Sequence, residues 1–201
     1  YQGTNNEYII TNLLLLADIF IAQDKINEAV SSYQNAALII SQLESSDSLR
    51  IVHILIKMGH ILKEKQSLAA YTKALNVIKL YNNPSHALLA YIQLLCADGY
   101  ANIGWYRHAK KAYQDAIDIN KENTSEYNIK TIEIIASLSQ LLQQQSTHKI
   151  DYQTEALKYS LKTYQLYHIL LGAKHKETQL WQENTAQLHK SIEINKEKKR
   201  Q

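Results

Sequence analysis

Glycine occurs five times in 201 residues, proline once, and cysteine, methionine and phenylalanine once each. Sheets and doubly wound folds need more turn residues than that, because tight hairpins call on Gly, Pro, Asn and Asp. Helices joined by short polar connections do not. The lone Cys96 excludes an internal disulfide framework and any multi-cysteine metal site, and it points to a reducing, cytoplasmic compartment. No run is long and apolar enough to span a bilayer. The most apolar stretch, Tyr8 to Ala22, holds Asp18 and falls short of the roughly 20 residues a span takes. It also lacks the basic leader of a signal peptide. The chain starts at Tyr1 and its only methionine is Met58, so it reads as a module of a longer protein or a processed product.

Charge is nearly balanced. The net charge of +3 is matched by the last twelve residues alone, where Lys190, Lys196, Lys198, Lys199 and Arg200 stand against Glu193 and Glu197. A nucleic-acid interface would need basic residues spread over several helices. RNA contact is therefore an expectation for the tail at most, and the tail reads first as a solvated helix end.

What is abundant is a spacing. Leu13, Leu16-Ala17, Phe20, Ala29, Tyr33 and Ala36 set large, small and aromatic residues at intervals that suit two antiparallel helices. The large residues fall at i, i+3 and i+7 on one face, and alanines let the second helix approach. The pattern recurs at Cys96-Ala97, Tyr100, Gly104-Trp105-Tyr106, Ala109, Tyr113 and Ala116, eighty residues on from Ala29 to Ala109. A shortened copy lies between them: Leu55, Met58-Gly59, Leu62, Tyr71 and Ala74, its turn about one helical turn shorter. A fourth helix pair is expected over about 125–144 and 151–171, joined by the polar Gln143-Gln144-Gln145-Ser146-Thr147.

These residues resemble the tetratricopeptide (TPR) repeat. The spacing predicts an all-α, right-handed superhelical solenoid of antiparallel helix pairs, about nine helices in all. The expected boundaries are repeats near 8–43, 47–81, 84–119 and 125–171, a capping helix at 175–194, and a basic tail at 195–201. Local signals mark the ends. Asn83-Pro84 reads as a cap followed by proline at the first helical position. Asn123-Thr124-Ser125-Glu126 reads as a capping box. Gly104 and Gly172 read as left-handed helix closures.

The repeats run nearer forty residues than the usual 34. The joint Leu171-Gly172-Ala173-Lys174-His175-Lys176-Glu177-Thr178 is similar to the Leu-Gly-x-x-His-Pro-x-Thr joint of kinesin light chains and the clustered-mitochondria family. Asn83-Pro84-Ser85-His86 is a looser version. The last pair, Glu155-Ala156-Leu157 through Trp181, resembles the end of the clustered-mitochondria array. Lys176 departs from that pattern by replacing the proline. The resemblance implies cytoplasmic adaptor work, such as linking cargo to a motor or serving mitochondrial positioning and messenger RNA handling.

Catalytic and metal chemistry find no footing. His53 and His60 lie seven apart, not at the i, i+4 spacing of zinc ligands on one helix. Phosphate loops and nucleophile elbows are absent from the sequence. No enzyme, cofactor or metal is expected. In a TPR helix the residue after the hydrophobic–small pair faces the concave surface, which selects Asp18, His60 and Asp98. Leu14, His53, Ile56, Tyr91, Leu94 and Asn102 complete the expected groove. Such a groove suits a protein or peptide segment carrying a basic residue. Leu14 and Asp18 stand where chaperone-binding TPR domains place a lysine–asparagine carboxylate clamp, so an anionic tail is not the expected ligand. The expected function is a non-catalytic interaction scaffold or adaptor. The alternative is a structural subunit of a large cytoskeletal, organellar or RNA-containing assembly.

Overall fold

The computed structural model describes residues 2–44, 48–81, 85–145 and 150–200. Among them the chain forms nine α-helices and no strand: α1 (Gln2–Ala22), α2 (Ile26–Leu43), α3 (Leu49–Ile61), α4 (Glu64–Lys79), α5 (His86–Asn102), α6 (Tyr106–Asn123), α7 (Ile129–Gln145), α8 (Ile150–Leu171) and α9 (Lys176–Arg200). They fall into two compact units, Tyr1–Gly104 and Trp105–Gln201. The Asn83-Pro84 helix start and the Ser146-Thr147 end of the polar connection lie outside the described residues.

In the first unit each helix packs chiefly on its sequence neighbours, α1 on α2, α2 on α3, α3 on α4 and α4 on α5. The buried stripe of α2 is Ala29, Tyr33, Ala36 and Ile40, at helical spacing. Ala29 and Ala36 have no exposed surface, so the facing helix comes close where they lie. In α4 the matching stripe is Tyr71, Ala74, Leu75 and Ile78. One core joins these with Ile10, Ala17, Val52, Leu55, Ile92 and Cys96. Each fully buried isoleucine among them contributes roughly 1.5–3 kcal/mol relative to an exposed one.

The turns show how two sequences make one joint. After α1, Asp24 takes a left-handed φ of 57°, and the Lys25 amide donates to the Phe20 carbonyl at 2.9 Å. Gly104 follows α5 at φ 80°, with its amide donating to Ala101 at 3.0 Å. Asp24 and Gly104 occupy the same repeat register. An aspartate tolerates this conformation at a small cost and glycine at none.

In the second unit α6 packs on α7, α7 on α8 and α8 on α9. The core is built from Ile132, Ile135, Leu138 and Leu142 of α7, Ala156, Leu166 and Tyr167 of α8, and Trp181 and Ile192 of α9. Gly172 closes α8 as expected, at φ 84°, with its amide donating to the His168 carbonyl at 3.0 Å. The capping box at residues 123–126 does not form. Helix α6 consumes Asn123 and ends at Thr124, a turn follows, and Asn128 Oδ1 accepts from the Lys130 amide at 2.9 Å to start α7 at Ile129. Helix α9 runs on to Arg200 as one helix, so the basic tail continues α9. No helix among the described residues is long and apolar enough to cross a membrane.

Candidate partner-binding face

Helices α1, α3 and α5 carry the nine residues expected to line a groove, all within the first unit. Two polar bridges tie these alternate helices side by side. Asp18 Oδ1 of α1 lies 3.4 Å from Lys57 Nζ of α3. His60 Nε2 of α3 lies 3.4 Å from the Tyr91 hydroxyl of α5.

A second set of bonds ties the same face to the helices behind it. The Tyr33 hydroxyl donates to Asp18 Oδ1 at 2.9 Å. The Tyr71 hydroxyl and His60 Nδ1 lie 2.9 Å apart. Asp18 and His60 hold equivalent repeat positions, as do Tyr33 and Tyr71. The tie therefore recurs although the second turn is shorter, spanning 15 residues in one repeat and 11 in the next. Burial, and then the Asp18 carboxylate, push the Tyr33 phenol well above its ordinary pKa. Burial likewise raises that of Tyr71. Both phenols stay protonated at neutral pH and keep their hydrogen available to bond.

The expected residues meet different fates. Asp18, His53, His60, Tyr91 and Asn102 are exposed, and Leu14, Leu94 and Asp98 are half-buried. Ile56 is a correction: at 7% exposure it belongs to the core and offers no seat to a ligand. Helix α3 buries a wide apolar face that also takes in Ile51, Val52, Ile54 and Leu55, and Ile56 falls at its edge. The residue that reaches the face is its neighbour Lys57, which the sequence reading missed. Lys57 Nζ also stands 5.9 Å from the centroid of the Tyr33 ring. A lysine near both Asp18 and an aromatic ring offsets the acidic character expected at Asp18, which already has a cation beside it. The pair is half exposed and adds little stability.

Cys96 sits behind this face, 1% exposed, and burial pushes its thiol up to about 11. The thiolate is the reactive form, so burial and protonation both protect it. Ellman's reagent at pH 8 should leave the folded chain unmodified and titrate one thiol in denaturant. Rapid labelling of the native protein would contradict this packing. Among the described residues no group of three or more His, Cys, Asp or Glu side chains could hold a metal ion.

No protein-family model matches the sequence, and no curated protein matches it. Solved structures do share its fold. BtubC (BKLC) from P. vanneervenii superposes with a TM-score of 0.62 at 18% identity, covering 83% of this chain and 66% of that one. This chain thus spans just under two thirds of that structure. A Podospora anserina protein described as a kinesin light chain, of nearly identical TPR-like repeats, gives a TM-score of 0.72 at 12% identity, covering 94% of this chain and 89% of that one. The Rap conjugation gene regulator of plasmid pLS20, in complex with its Phr peptide, gives 0.53 at 15% identity, covering 90% of this chain and 53% of that one. At these identities the likeness concerns architecture alone. The chain has the all-α, TPR-like helical-repeat fold.

Proposed function

We propose that the face of α1, α3 and α5 binds a protein or peptide segment, and that the chain is a non-catalytic interaction scaffold. The observation that carries this reading is the double tie. Asp18–Lys57 and His60–Tyr91 join three alternate helices into one continuous surface, while Tyr33 and Tyr71 fix its polar groups from behind. A preformed surface loses little conformational entropy when it binds. Leu14 and Leu94 supply half-buried apolar seats, and His53, Tyr91 and Asn102 supply exposed polar and aromatic contacts. A segment with apolar anchors and a basic residue suits a face that carries the carboxylates Asp18 and Asp98. The peptide-bound Rap regulator shows that such a repeat architecture accommodates a peptide, and the buried Cys96 suits a reducing, cytoplasmic setting.

A random peptide library selected on the immobilised chain tests the reading. Affinity of the selected peptides should fall roughly tenfold when Tyr91→Ala and His53→Ala are combined, with helicity unchanged. Peptides that bind the double variant as tightly as the original would move the binding surface off this face. A second reading, a subunit of a larger assembly, is favoured by one observation: α1 leaves Tyr8, Leu15 and Ile19 largely exposed along one side.

A further inference from the structure

Helix α1 leaves bare a side that α3 and α5 cover. Ala17, Gly59 and Ala97 hold the same repeat position, which aligns the three helices residue by residue. Tyr8, Ile9, Leu15, Leu16 and Ile19 of α1 are each 40% exposed or more. Their counterparts in α5 are Leu88, Leu89, Leu95, Cys96 and Gly99, all buried or half-buried. That side of α5 rests on the pair before it: a Cβ on Gly99 would lie 3.1 Å from Leu68 of α4. In α3 the side includes Arg50 and Lys57, which pair with Glu7 and Asp18 of α1 and Glu44 of α2. In both helices it therefore packs on the helix pair that precedes.

Helix α9 shows how this chain finishes a helix side that stays in water. Ala186 follows Thr163 by 23 residues, as Gly59 follows Ala36 and Ala97 follows Ala74, so its register is fixed. Where α3 buries Val52, Leu55, Ile56 and Gly59, α9 has Gln179, Gln182, Glu183 and Ala186, all exposed. Polar side chains have replaced apolar ones there. On α1 no such replacement has occurred. Its bare side is apolar, and the neighbouring Glu7 and Asp18 are already paired with Arg50 and Lys57. A contiguous apolar patch of this kind marks a contact surface.

We propose that this side of α1 receives an antiparallel helix pair of the same repeat type, carried by a partner protein. The second helix of that pair seats on α1 as α4 seats on α5. With Ile19 in the place of Gly99, its residue at the Leu68 position is smaller than leucine. A second copy of this chain does not supply the pair. Its α1–α2, α3–α4 and α7–α8 pairs are each covered by the helix that follows, and α9 offers a polar side instead. A tightly connected repeat does not fit either. Helix α1 starts fifteen residues before Ala17, against ten for α3 before Gly59 and eleven for α5 before Ala97. Its first turn thus fills the space that holds the connection in those two cases, which favours a separate chain. The seat lies on the side of α1 away from α3 and does not rest on the peptide-binding reading.

A synthetic helix pair with the α3–α4 sequence, residues 49–79 carrying Leu68→Ala, is the probe. Titrated into the full chain, it should shift the methyl resonances of Ile9, Leu15, Leu16 and Ile19 saturably and leave the exposed Leu161 and Ile169 unmoved. Leu15→Lys with Ile19→Lys should weaken binding at least about tenfold with helicity unchanged. Should that variant lose helicity, Tyr8→Lys takes its place. Absent shifts, or equal binding to the variant, overturn the proposal. If the free pair is unstructured, the same sequence joined ahead of Tyr1 by a flexible linker of about 15 residues, reaching roughly 20 Å, decides. The joined protein should melt about 4 °C or more above the chain alone, and the double variant should lose that gain. An unchanged melt overturns the proposal. By analytical ultracentrifugation the chain alone should stay at its 23.1 kDa monomer mass. A dimer that Leu15→Lys with Ile19→Lys abolishes would give this side to a second copy and overturn it as well.

Discussion

Replacing Gly59 with alanine should lower the melting temperature by on the order of 10 °C. A Cβ at this position would lie 2.6 Å from Cδ1 and 2.7 Å from Cζ of Tyr71, with Cε1 nearer still. The ring has little room to yield. It is 7% exposed, and its hydroxyl is tied to His60 Nδ1. Two effects oppose. Alanine is about 1 kcal/mol better than glycine inside a helix. Overpacking costs about 1–3 kcal/mol, and losing the hydroxyl's bond about 1 more. The clash wins by about 2 kcal/mol, and at roughly 4–8 °C per kcal/mol for a unit of this size that sets the expected shift. In a Tyr71→Ala background the same alanine should be neutral or stabilising, because the ring it meets is gone. A loss of equal size in that background would show that some other neighbour is responsible.

Trp181→Ala should cost about 3–5 kcal/mol, the range for emptying a buried tryptophan site. Helix α9 is mostly polar, and among its described side chains Trp181, 3% exposed, is the largest buried one, with Thr178 and Ile192 the other buried positions. Without the indole, α9 loses most of what holds it on α8. Thermal denaturation followed by circular dichroism should show an earlier transition, and hydrogen exchange should show α9 amides losing protection first. A melt within 2 °C of the unmodified chain would mean that α9 rests on α8 by other contacts, since about 1 kcal/mol already moves a domain this small by more.

The repeat was legible because small residues betray close approach. Ala17, Ala29, Ala36, Ala74 and Ala97 all have no exposed surface, and their intervals in sequence located the helices before any coordinate did. Gly59 belongs to the same set, although the sequence could not say that the side chain pressing on it is Tyr71. The face was legible only in part. Repeat position picked out Asp18 and His60, but it could not reveal that the tyrosines eleven and fifteen residues later reach back to them. Ile56 and Lys57 differ by one residue, about 100° of rotation on a helix. Only the extent of the buried face of α3 decides which of them reaches solvent. The capping box failed for a similar reason: Asn123 has two possible partners in sequence, and α6 claimed it before α7 could.

Within each unit, helices rest on the helices next to them in the chain. Few distant segments must find one another during folding, so little loop-closure entropy is lost before contacts form. Chains of this kind fold in microseconds to milliseconds, faster than sheet proteins of equal stability. Order can also start at any hairpin and spread to its neighbours, which makes the strongest local pair the natural nucleus. The α1–α2 hairpin, with its Asp24 joint and its Tyr33–Asp18 bond, is complete within residues 2–43. Its joint and its bond therefore need no residue beyond 43, although its buried face is completed only when α3 packs on α2.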